Sequence, residues 1–121
     1  MTVIPNFIIK RMYVNGSFRR VPDGVAFDIH NNLGPGMITS LNHIKYGETT
    51  YPSSDIVIEV NGVRRAADTI SEAQPVIVSL GQTANLIVLN AEVPNGKHDI
   101  SIDLLSREGG HVVLTVTDTL S

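Results

Sequence analysis

Four histidines, His30, His43, His98 and His111, are the side chains of this sequence best suited to acid–base or metal chemistry. None stands at His-x-His or His-x-x-x-His spacing, and a metal centre needs three or four converging ligands. His98 and His111 flank the last predicted hairpin, where they could face each other across it. Asp99 and Asp103 share the outward side of one alternating segment with Ser101, where alternation alone places polar residues. Ser40, Ser53, Ser54 and Ser79 lack the Gly-x-Ser-x-Gly context of a nucleophile elbow. Gly34-Pro35-Gly36 is no phosphate loop, because proline removes an amide that a phosphate needs. Basic doublets at Lys10-Arg11, Arg19-Arg20 and Arg64-Arg65 must sit at strand ends, edges or interfaces, since adjacent residues of a strand point to opposite faces. The residues themselves therefore assign no catalytic site and no metal or cofactor site to this chain.

The elements that would position these residues are strands. Val25, Phe27 and Ile29 alternate with polar or small residues. Ile56, Ile58 and Val60 alternate with Val57 and Glu59, Ile100, Ile102 and Leu104 with Ser101 and Asp103, and Val112, Leu114 and Val116 with Val113 and Thr115. Val76–Leu80 and Leu86–Asn90 are apolar enough for central strands, and Phe7–Tyr13 and Met37–Ile44 read as further strands. Asn15-Gly16, Asn61-Gly62 and Asn95-Gly96 are turn dipeptides, with Pro22-Asp23-Gly24, Gly81-Gln82-Thr83 and Gly109-Gly110 as further punctuation. The one candidate helix, within Ala66–Ala73, is short. The pattern predicts an all-β, two-sheet antiparallel β-sandwich of jelly-roll type. Its expected core is Phe27, Ile29, Ile56, Ile58, Val78, Leu80, Ile87, Leu89, Ile102, Leu104, Leu114 and Val116.

Composition sets the outer bounds. A chain of 121 residues suits one domain spanning 1–121, large enough to bury roughly two thirds of its open-chain surface. With no cysteine it has no disulfide and no thiolate metal site. A net charge of −3 argues against a nucleic-acid partner. The opening Met1–Asn6 does not read as a secretory signal, and the longest aliphatic run, Leu86–Leu89, is too short for a membrane span; the expected location is cytoplasmic.

One stretch carries a resemblance. A hydrophobic segment from Phe7, then Tyr13-Val-Asn-Gly-Ser-Phe-Arg, Asp23-Gly and an alternating strand, then Asn31-Asn-Leu-Gly-Pro-Gly, resembles the small, β-type subunits of bacterial C-glycoside deglycosidases, and Asp55-Ile-Val-Ile-Glu-Val-Asn-Gly and the closing hairpin suit that family. The resemblance implies a non-catalytic subunit of a lyase that cleaves the C–C bond of 3-oxo-C-glycosides. Its partner would be a larger TIM-barrel subunit holding a divalent metal, with no cofactor in this chain. Binding to that subunit, to further copies of itself, or to both would leave an exposed apolar patch. The loop from Asn31 to Gly36 joins two strands. Asn31, Asn32, Gly34 and Pro35, with Arg11 and Tyr13 nearby, are the expected contacts at the rim of the partner's active site. The alternative is a free-standing carbohydrate-binding or adhesion module, although Tyr13, Tyr46 and Tyr51 are the only tyrosines for a sugar platform and there is no tryptophan.

Overall fold

In the computed structural model, which describes residues 6–121, the alternating segments become two antiparallel sheets packed face to face. One sheet holds, in spatial order, β1 (Arg19–Val21), β2 (Gly24–His30), β8 (Thr83–Leu89), β5 (Ile56–Val60) and β6 (Val63–Ala66). The other holds β10 (Gly110–Leu120), β9 (Gly96–Ser106) and β3 (Gly36–Tyr46), and the far side of β3 is shared by β7 (Val76–Val78) and β4 (Thr49–Pro52). The all-β sandwich expected from the periodicity is what the chain forms. Among the described residues no helix is long and apolar enough to cross a membrane.

Alternation explains the core. Phe27, Leu86 and Ile58 lie in one register row across the first sheet, and Ile44, Ile102 and Leu114 in one row across the second. All six are buried, and each contributes roughly 1.5–3 kcal/mol by leaving water. Asn61-Gly62 closes the β5–β6 hairpin with φ of 54° and 80°, the left-handed pair that a two-residue type I′ turn demands. Pro22-Asp23 joins β1 to β2 as tightly, with Val21 opposite Gly24.

Several expectations are corrected. Phe7–Tyr13 is not a strand: Asn6–Lys10 is a short helix, α1, and Tyr13 makes one isolated bridge to Ile29. Backbone bonds from His30 N–H to Met12 (2.7 Å) and from Val14 N–H to Asp28 (3.1 Å) tie the helix exit to the edge of β2, while α1 packs against β10. The segment thereby bridges edges of both sheets, a tertiary demand that overrides the strand preference of Ile8-Ile9. In β8 the phase is reversed. Ala84, Leu86 and Val88 join the core, Leu89 is only half-buried, and Ile87 is buried on the opposite face beside Ala26 and Val57. Val76–Leu80 shrinks to three paired residues, and Leu80 is exposed. Ile29 and Val116 are half-buried against the core. The candidate helix reduces to a 3-10 turn at Ala67–Thr69. Met1–Pro5, part of the stretch read as lacking a secretory signal, lies outside the described residues.

Candidate functional site: an apolar end cavity

A cavity of about 500 Å³ opens between the sheets. Sheet residues Ile29, Ala84 and Leu86 face Ile102, Leu104 and Leu114 across it. Ile8, Ile9 and Met12 of the α1 segment and Leu33 and Pro35 of the β2–β3 loop complete the wall. The volume lies in the range of small-molecule sites, which are mostly apolar with a few placed polar groups. Unfilled space of this kind forfeits dispersion contacts along its whole lining. A cavity of this size and lining can accommodate a small apolar group.

The loop at the cavity is held rigid from within. Asn31 is buried, and its side-chain oxygen accepts from the N–H groups of Leu33 (3.1 Å) and Gly34 (3.4 Å). Its amide nitrogen donates to the carbonyls of Gly34 and Val78, both at 2.6 Å. Its backbone bonds Gln82 and Gly81 at 2.9 and 2.7 Å. Asn31, expected as a contact at the rim of a partner's site, instead turns its amide inward, where the loop and Val78 consume it. Asn32 is exposed and donates to the Arg11 carbonyl at 3.4 Å. The Arg11 guanidinium lies 5.7 Å from the centre of the Phe7 ring. Asn31, Gly34 and Pro35 line the cavity, Arg11 and Asn32 adjoin it, and Tyr13 turns away into an aromatic cluster with Phe27.

The sequence reading missed Ile8, Ile9 and Met12, because a strand assignment scatters them over two faces. The i, i+4 spacing of Ile8 and Met12 was the available signal. It also missed Glu108, in the β9–β10 turn, whose Oε1 accepts from the Met37 N–H at 3.0 Å at the cavity wall.

Several other polar side chains help hold the sandwich together. His98 lies opposite Asp118 and His111 opposite Leu105, so the two histidines do not face each other. His98 meets the Pro94 carbonyl at 2.7 Å, and His111 Nε2 lies 2.9 Å from Asp103. Burial pushes the Asp103 carboxyl up, but hydrogen bonds from Asn42 and His111 and the nearby His43 outweigh it and hold the carboxyl below its ordinary value. The arginine doublets fall on β1 and β6, the outer strands of one sheet. Arg19 pairs with Asp28 at 3.0 Å, and Arg64 with Glu59 and Asp23 at 2.9 and 3.0 Å. Arg20 reaches the Val93 carbonyl, and Arg65 the carbonyls of Pro75 and Thr69. Among the described residues, no group of three or more His, Asp or Glu side chains is placed to hold a metal ion.

Compared with protein families, residues 8–121 match the family described as the hydroxymethylglutaryl-CoA reductase N-terminal domain, and the chain belongs to that family. No curated protein matches it. The family match overturns the resemblance to C-glycoside deglycosidase small subunits, and with it the lyase function; nor does it support a carbohydrate-binding or adhesion module. The turn and strand motifs that suggested that resemblance recur in any β-sandwich with Asn-Gly and Pro-Gly turns. The TIM-barrel partner and its divalent metal rested on that resemblance alone.

Proposed function

We propose that this member of the reductase N-terminal-domain family is a non-catalytic binding domain that takes an apolar group into its end cavity. The observation that carries the reading is the cavity itself, aliphatic on both sheets and enclosed by α1 and the Asn31 loop. The structural engagement of His98, His111, Arg19, Arg64 and Asp103 supports a binding role rather than a reaction. The family's description as an N-terminal domain supports a place beside a larger catalytic body, where reduction of hydroxymethylglutaryl-CoA would occur. That body, or further copies of this chain, would be its protein partners, in the cytoplasm.

The test uses the neutral fluorophore N-phenyl-1-naphthylamine. Titration into the purified chain should give a saturable, single-site rise in fluorescence. Ala84→Phe, which projects a ring into the cavity, should abolish that rise while the chain still melts cooperatively. A wild-type chain with no saturable binding, or a filled variant that binds as well as wild type, contradicts the reading.

A further inference from the structure

The cavity wall carries one charge, and that charge bears on what can enter. Glu108 is the only ionisable side chain among the described residues that line the cavity. Its Oε1 is fixed by the Met37 N–H at 3.0 Å, and its carboxylate keeps further acceptor capacity. Most donors around it are already committed; the Ser106 hydroxyl, also on the lining, accepts from the Gly109 N–H at 2.8 Å and keeps its own proton, a neutral donor set against a full negative charge. The N–H groups of Leu33 and Gly34 point to Asn31 Oδ1, Pro35 has no N–H, and the Met37 N–H belongs to Glu108. The Asn31 amide is spent on the Gly34 and Val78 carbonyls. The neighbouring cations stand apart from the lining. Arg11 lies over the Phe7 ring, and Arg107, beside Glu108 in the turn, meets Met37 through its backbone.

We infer that the cavity takes an aliphatic ligand whose head group donates hydrogen bonds and is neutral or positively charged, an alkyl alcohol or alkyl ammonium, and that it discriminates against carboxylates and phosphates. The inference rests on the binding role proposed above and names the chemistry of that same site. The tail is held by burial, at about 0.8 kcal/mol for each methylene removed from water. The head is selected by Glu108, an exposed side chain at the cavity mouth that attracts a donor or a cation and repels an anion.

Three ten-carbon probes of matched length separate the possibilities: 1-decanol, decylamine and decanoate, each competed against N-phenyl-1-naphthylamine at neutral pH. Decanol and decylamine should bind at least about tenfold tighter than decanoate. Glu108→Gln keeps an acceptor for Met37 but removes the charge. It should bring decylamine and decanoate to within about threefold of each other and leave decanol little changed. Glu92→Gln, a charge change outside the cavity lining, should alter none of the three. Equal affinity of all three for the wild-type chain, with binding still lost in Ala84→Phe, overturns the head-group selection and leaves the cavity reading standing. Failure of every probe to bind overturns both.

Discussion

The phenol of Tyr13 and the carboxylate of Asp118 lie 105 positions apart in the chain and 2.7 Å apart in the fold. Asp118 also accepts the Gly16 N–H at 3.0 Å, so one side chain near the end of β10 holds the turn that follows α1. α1 forms part of the cavity wall, and this contact anchors it to the sheet beneath.

That contact predicts acid sensitivity of a stated sign. Burial pushes the Asp118 carboxyl up, but the Tyr13 hydroxyl and the backbone amides of Thr119, Gly16 and Phe18 outweigh burial and hold it below its ordinary 3.8. A carboxylate depressed on folding stabilises the native state above its unfolded pKa, and that contribution is lost as pH falls below 3.8 through the folded value. Asp103, also held below its ordinary value, contributes in the same direction. Tyr13→Phe should cost about 1 kcal/mol at neutral pH and flatten the decline in stability below pH 3.8. Urea titrations of both proteins across that range measure it; identical pH profiles would show that the pair does not couple.

Tyr46 gives a prediction in the opposite direction. Its ring is buried between Phe18, Phe27 and Tyr51, and its hydroxyl has no hydrogen-bond partner. A buried hydroxyl left unpaired costs about 1–3 kcal/mol. Tyr46→Phe removes the oxygen and keeps the packing, so it should raise the melting temperature. A lowered melting temperature would mean that the hydroxyl is satisfied in solution.

The two adjacent asparagines should separate sharply. Asn31→Ala removes four hydrogen bonds and strands the carbonyl of Val78 in a buried position, a loss of about 2–4 kcal/mol. Asn32→Ala removes one long, exposed bond and should change stability by less than about 0.5 kcal/mol. Calorimetry of the two single variants decides it. Equal effects would contradict the inward-facing role of Asn31.

Gly24 supplies a steric prediction. It lies in β2 opposite Leu89, and a Cβ there would overlap the Val88 carbonyl within the sheet ladder. Gly24→Ala should destabilise the chain by roughly 1–3 kcal/mol, because the obstacle is backbone and cannot rotate away. Chemical denaturation measures it. A neutral result would mean that β2 and β8 part easily at that point.

The sequence made most of the architecture legible, and the reasons are local. β5 and β9 show one apolar and one polar face, so Ile56, Ile58, Ile100 and Ile102 could be placed inside from alternation alone. β8 is apolar on both faces, so no alternation fixes its phase, and Leu86 and Val88 rather than Ile87 and Leu89 face the core. The Asn31 loop was legible as a rigid connection, but not the inward turn of its amide, which depends on a carbonyl at Val78 47 positions away. The cavity was not legible at all. Its walls come from six separate stretches of chain, and the spacing of residues in sequence carries no measure of how far apart two sheets stand.

Entry of an apolar group into the end cavity can be read residue by residue, by methyl-resolved NMR during titration with 1-decanol. Saturable shifts are expected at the methyls that line the cavity and nowhere else, among them Ile29, Leu86, Ile102, Leu104, Leu114 and those of the α1 segment. The exposed methyls of Val63, Ile77 and Val113 should stay still. Shifts at those exposed residues, or none at the cavity methyls, would contradict it.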